Sequence, residues 1–334
     1  MSRLALAVPS HKLPRMDDPR PASIHSLARK GLGPAQPVKA HPARISRAMR
    51  PEDVFRATLS DCLAQLTANV ATLRAARSVE GLHQLRVALR RLEVVLKAFG
   101  EEFQQDWLTD LRSRAKILSS RLGPARDLDV FLTELLDAPA EGNENEAFLN
   151  LRARMEEMRD RAWKEAGDCV AGADFALFTE DVAGLAHSRL PLARDTKLSR
   201  VAKRLLDRQQ ARALKRGKKA RDGDEAHLHG LRIALKKLRY TAEFLAPLYP
   251  RRKVKRYVRE LRGLQEHLGA INDIAHVRAT IAKLLRETEA KRPAPGERYA
   301  AGLVAGWYRA RRPHIAKQAL RRWKKFRKVE PFWN

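Results

Sequence analysis

Two stretches of this 334-residue chain set one histidine and several arginines and lysines into leucine-rich sequence: LHQLRVALRRL around His83 and LHGLRIALKKL around His229. The second lies 146 residues after the first. The same offset, without gaps, relates LGPARDLDV from Leu122 to LGAINDIA from Leu268. Two blocks at one constant offset imply an internal duplication. On a helical wheel of about 100° per residue with His83 at zero, Arg86 falls near −60°, Arg90 near −20° and Lys97 near −40°, while the leucines centre near −140°. His83, Arg86, Arg90 and Lys97 therefore line the border of the face that the leucines bury. His229, Arg232 and Lys236 take the same angles in the second copy, with Arg239 closer to the apolar border. Arg91 and Lys237 point elsewhere, near +80° on the same wheel of about 100° per residue, either onto a second anion-facing surface or simply into solvent.

Cations at such a border suit anion binding. Their stems pack against the core and their heads are held, so less entropy is lost when a ligand arrives. Arginine grips phosphate oxygens through paired N–H groups, lysine acts more as a point charge, and histidine adds an N–H donor or a further charge. One stripe alone would read as a solvated basic face. Two stripes, with the histidine kept in register, point instead to one cationic site formed where pseudo-twofold-related helices meet. If His83 and His229 touch the ligand, affinity should rise as pH falls from 8 to 6.

Other signals carry less. Asp127 and Asp273 recur at the repeat offset and read foremost as residues that open helices after a glycine-containing turn; orienting the site arginines is the alternative. No carboxylate or thiolate stands at ligand spacing beside the histidines, so no metal and no cofactor are expected. His267 and His276 read as surface or border residues. Glycine-rich phosphate loops of the G-x-x-x-x-G-K-[ST] kind are absent, and a binding protein rather than an enzyme is expected. Near the C-terminus, RRWKKFRKVEPFW interleaves cations with rings. It reads as a helix end docked through Trp323 and Phe326, with stacking on single-stranded nucleic acid or contact with an anionic membrane as alternatives.

The net charge is +28 and the isoelectric point about 10.8, which calls for a polyanionic partner. Residues 51–190 hold 18 Lys/Arg against 24 Asp/Glu, whereas residues 191–334 hold 39 against 13, so the second copy is the stronger anion attractor. Two cysteines, Cys62 and Cys169, make neither a disulfide framework nor a zinc set and fit a reducing cytosol. The apolar run in MSRLALAVPS is short for a secretory signal, and no later run reaches a membrane span.

Residues 1–50 are basic, proline-rich and without apolar period, which predicts a disordered arm. From Pro51 onward the pattern is helical. Leu82, Leu85, Leu89, Leu92, Leu96 and Phe99 step by three and four, as do Leu228, Leu231, Leu235 and Leu238. Helices are predicted over 52–77, from Leu82 to Gly100, over 104–121, from Asp127, over 145–167 and 173–188, then 195–216, through His229, 251–268, 272–290 and 297–327. Period-two runs are absent. The expected fold is all-α: two helical bundles, about 51–190 and 191–330, within one region over 51–330.

In these motifs the chain resembles the CHAD family, named for a histidine-containing α-helical domain. The resemblance rests on LHQLRVALRRL from Leu82, on LHGLRIALKKLRYTAEFL from Leu228 and on the paired LGPARDLDV and LGAINDI segments, within about 52–330. It implies two pseudo-symmetric bundles with basic residues lining a surface or central channel. It also implies binding of inorganic polyphosphate, with association to polyphosphate granules in some members. Carried over, the site is His83, Arg86, Arg90 and Arg91 with His229, Arg232, Lys236, Lys237 and Arg239. Glu93 departs from the basic residues common there, and either weakens the first copy or pairs with a neighbouring arginine. Some relatives add a separate CYTH triphosphatase domain, and this chain is expected to have no room for one. A cytosolic polyphosphate-binding protein is the leading expectation, and nonspecific nucleic-acid binding the alternative.

Overall fold

The apolar steps of three and four become helices almost without interruption. The computed structural model describes residues 36–103, 106–142, 145–188, 197–289 and 294–334, and these contain no strand. In chain order the helices are α1 (Pro51–Ala75), α2 (Val79–Phe103), α3 (Asp106–Arg121), α4 (Gly123–Val130), α5 (Asp137–Ala140), α6 (Glu146–Ala171), α7 (Ala173–His187), α8 (Leu198–Lys219), α9 (Glu225–Leu245), α10 (Arg251–Glu289) and α11 (Glu297–Phe326). A π-helical turn over Phe131–Leu135 continues α4. The chain is all-α, as expected.

Element boundaries follow the sequence offset to within a residue: α2 starts at 79 and α9 at 225, and α1 and α8 start at 51 and 198. The halves differ between α3 and α4. Helices α3 and α4 are separated at Leu122, whereas α10 runs through the equivalent stretch as one helix of 39 residues. The expected pair of helices over 251–268 and 272–290 is thus a single one. The cause lies in Pro124, whose ring and missing N–H favour the first turn of a helix and disfavour its interior. Ala270 holds the same place in the second copy and lets the helix continue.

Within the halves, α1 packs on α2 and α2 on α3, mirrored by α8 on α9 and α9 on α10; α2 also meets α9, and α6 meets α11. The leucines of the two histidine helices are the heart of one shared core. Leu82, Leu85, Leu89 and Leu92 are fully buried, as are Leu231, Leu235 and Leu238. Each contributes about 1.5–3 kcal/mol relative to exposure. Charge adds a further join: Arg204 and Arg208 of α8 grip Glu102 and Glu101 of α2, the first at 2.5 Å and the second at 2.6 Å.

The start of α9 is set locally. Gly223 takes φ +73°, which side chains disfavour, and the Asp224 carboxylate accepts the His227 N–H at 3.0 Å. The glycine turns the chain, the cap satisfies a free helix donor, and the His229 stripe is thereby aimed.

The expected arm needs correction over its last part. Residues 36–50 lie along the domain: Ala43 and Ile45 join the core, Val38 and Asn69 exchange two hydrogen bonds of 3.1 and 2.9 Å, and Arg47 donates to the Leu248 carbonyl at 2.8 Å. Short polar sequence without period can still bind an existing surface through its backbone groups, which periodicity does not register. Residues 1–35 lie outside the described residues.

The C-terminus docks. The Trp323 ring lies flat against Gly217, where a Cβ would fall 1.9 Å from the ring. Phe326, Phe332 and Trp333 surround Tyr257 at 5.2–5.5 Å between centroids, and the Trp333 indole donates to Asp207 at 2.9 Å. These rings are therefore unavailable for stacking. No described helix is long and apolar enough to cross a membrane.

Candidate functional site

Where α2 meets α9, the two stripes face each other. Lys236 of α9 lies in the field of Arg90 and Arg86 from α2 as well as Arg232 and Arg239 from its own helix. His83 feels Arg126 of α4 together with Arg90 and Arg86. Arg86, Arg90, Arg232, Lys236 and Arg239 thus form one cluster, with His83 and Arg126 beside it.

The cluster is electrostatically strained. Burial, and then the neighbouring arginines, bring the Lys236 ammonium down to about 6, so this side chain is mostly neutral at pH 7. Burial followed by Arg90 brings Arg86 down to about 10, still a cation. Burial also lowers Arg232, against the pull of Asp273. His83 is lowered by burial and by Arg126, so its proton is held less readily than an ordinary imidazole's. The expectation that this histidine gains charge between pH 8 and 6 does not fit those surroundings; the group placed to take up a proton in that range is Lys236.

The donors are also incompletely used. The Arg86 guanidinium gives one N–H to the Ser119 carbonyl at 2.8 Å, and its approach depends on Gly123, where a Cβ would stand 3.0 Å from Arg86 Nη1. Among the described residues, the buried Nε–H groups of Arg86, Arg232 and Arg239 have no hydrogen-bond acceptor, the last lying 4.0 Å from Glu243. A buried donor without a partner costs about 1–3 kcal/mol. Chemically, the cluster is a set of fixed cations and free donors that a multivalent oxyanion would satisfy.

Asp127 and Asp273 sit at this site rather than at helix starts. Helix α4 begins at Gly123 and α10 at Arg251, so each aspartate lies within its helix. The charge of Asp127 acts on Arg86, and its carboxylate stands 3.6 Å from His276, while the charge of Asp273 acts on Arg232. Burial raises Asp273 despite Arg232 and His276. Expecting a cap failed because it assumed that the glycine-containing turn ends a helix in both copies. The alternative reading, that the aspartates act on the site arginines, fits this placement better; Arg126 and His276 were missed as site features, although the repeated LGPARDLDV block already carried Arg126.

Arg91 is not part of the face. It is 4% exposed, donates to Asp61 at 2.6 Å and to Gln65 at 2.7 Å, and lies 5.2 Å over the Phe244 ring. Its wheel angle pointed away from the stripe; what that angle faced was α1, a matter of tertiary packing. Lys97 and Lys237 make a second group with Arg112 and Arg212, joined from α3 by Lys116. Burial lowers both lysines, and Glu93 and Glu101 partly offset the charge. Glu93 itself stands 3.8 Å from Arg112, so the departure from the basic pattern is paired. His229 is exposed at the start of its stripe.

No group of three or more His, Cys, Asp or Glu side chains is gathered for metal binding among the described residues. Both cysteines are free and buried.

The fold is shared with solved structures. The crystal structure of the CHAD domain from the plant Ricinus communis superposes with a TM-score of 0.78 at 23% identity, covering 88% of this chain and 98% of that one. PptA from Streptomyces chartreusis superposes with a TM-score of 0.65 at 20% identity, covering 82% and 99%. No curated protein sequence matches. The family model described as the CHAD domain matches residues 57–282, which take in both histidine helices and the cation cluster between them, and the chain belongs to the CHAD family.

Proposed function

We propose that the protein binds inorganic polyphosphate along the seam of α2 and α9 and acts as a binding module, not a hydrolase, that associates with polyphosphate granules in the cytoplasm. The observation that carries this reading is the unbalanced cluster of Arg86, Arg90, Arg232, Lys236 and Arg239, with three buried guanidinium donors left without acceptors. Polyphosphate offers oxyanions at short, regular intervals on a flexible chain. It can supply acceptors to several arginines at once, restore the proton on Lys236 and release counterions as it docks. Lys97 and Lys237, with Arg112 and Arg212, extend the cationic path along α2, so a long chain is held weakly at further points.

The test is the affinity of the full chain for long-chain polyphosphate at near-physiological salt, with a DNA duplex as competitor. Wild type is compared with Arg86→Gln/Arg90→Gln/Arg232→Gln. Binding that resists the duplex and collapses in the triple variant supports the reading; equal binding by variant and wild type refutes it. Release of orthophosphate on prolonged incubation would refute the non-catalytic part.

A further inference from the structure

The seam uses only a fraction of the positive charge. Three runs without a single acidic residue lie elsewhere in the second half: KRGKKAR over 215–221, RRKVKRYVR over 251–259, and the whole of 298–329. They belong to the end of α8, the start of α10, and α11 with the residues just after it.

The fold brings these runs together. Gly217 of α8 lies against the Trp323 ring of α11, Trp323 lies 6.2 Å from Phe326, and Phe326 lies 5.3 Å from Tyr257 of α10. The rings form the inner side of this junction and are buried. The cations between them point outward: Lys218, Lys219, Lys253, Arg256, Lys324 and Lys325 are all exposed. Arg259 pairs with Glu260 at 3.5 Å. Among the described residues, none of the other cations over 215–221, 251–256 or 321–328 has an ion-pair partner.

We infer that this strip is a second anion-binding surface, separate from the α2/α9 seam, and that its partner is the backbone of duplex nucleic acid. Width argues for a duplex. Adjacent helix axes lie about 8–10 Å apart, so cations on three helices spread over a breadth that a single polyanion chain does not fill but two phosphate strands do. Along α11 alone, residues 321–326 extend about 8 Å, and a duplex presents one charge per about 1.7 Å over that length. With Trp323 and Phe326 turned into the core, the strip has no ring on which an unpaired base could stack, which disfavours single strands. It would touch phosphates alone, so binding should be independent of sequence.

The experiment measures affinity of the full chain for a labelled 20-base-pair DNA duplex, and for a single strand of equal length, across a salt series. A strip variant carries K218Q, K219Q, K253Q, R256Q, K324Q and K325Q. A seam variant carries R86Q, R90Q and R232Q. All six strip positions are exposed, and an unchanged circular dichroism melt verifies folding. The strip variant is expected to lose duplex affinity about tenfold or more, and its log–log salt slope to flatten by about 3 or more, at roughly 0.9 for each phosphate no longer neutralised. The seam variant should keep duplex affinity within about twofold. Unchanged duplex binding by the strip variant overturns the inference, as does loss confined to the seam variant. Equal binding of the single strand overturns the assignment to a duplex. None of these outcomes depends on whether the seam holds polyphosphate.

Discussion

Lys236→Met is the perturbation that most directly tests the strain at the seam. In the unfolded chain Lys236 titrates near its ordinary value of 10.5; in the folded protein burial and four arginines bring it to about 6. Between those values the unfolded state binds a proton that the folded state lacks, so folding at pH 7 must remove it. At about 1.36 kcal/mol per pH unit, the cost is about 5 kcal/mol at pH 7 and about 2 kcal/mol at pH 9. Methionine keeps an unbranched stem and has no charge to lose. The variant should therefore be more stable than wild type by up to about 5 kcal/mol at pH 7. That is a large share of the roughly 5–15 kcal/mol typical of a folded domain. The advantage should shrink as pH rises toward 10, because wild-type stability itself rises with pH in this window. Below pH 6 both states of the wild type hold the proton and the difference levels off. Urea unfolding of both proteins at pH 6, 7, 8 and 9 measures this, and the variant should at the same time bind polyphosphate more weakly. A variant no more stable at pH 7, or a difference that does not vary with pH, would refute the reasoning.

The same proton links binding to pH: a bound polyanion returns Lys236 toward its ordinary value, so affinity should rise up to about tenfold per unit as pH falls from 9 to 6. Lys236→Arg should flatten that profile, which titration calorimetry in buffers of different ionisation enthalpy would report. Arg91→Ala removes one partner of a buried pair and strands Asp61, costing about 3–5 kcal/mol in chemical denaturation, with polyphosphate affinity of the folded protein unchanged. Gly217→Ala forces the Trp323 ring away from α8 and should lower stability by about 2 kcal/mol, with a shift in tryptophan emission. Burial pushes the Cys62 thiol up to about 12, so alkylation at pH 8 should reach it only on unfolding; rapid labelling of the native protein would contradict its placement.

Much of the architecture was legible because it rests on local rules. The steps of three and four at Leu82–Phe99 and Leu228–Leu238 specify helices and their buried faces, and a constant offset makes the halves alike. Legibility ended where one residue outweighs a pattern. Gly269 was read as a break like Gly123, but the break belongs to Pro124, and Ala270 has no such effect. Residues 36–50 have no period, yet a finished surface offers them Asn69 and Leu248 as partners.

For the site, sequence alone determined which residues share the border of each histidine helix, because angle along a helix follows from spacing. Only the tertiary structure decided which of them act together. Arg91 became a buried pair because α1 brings Asp61 and Gln65 to it. Lys236 lost its charge because packing buries it and α2 sets Arg90 beside it. Asp127 and Asp273 turned from expected caps into partners of Arg86 and Arg232. Burial and the fields of neighbours arise between elements, so no spacing within one helix encodes them.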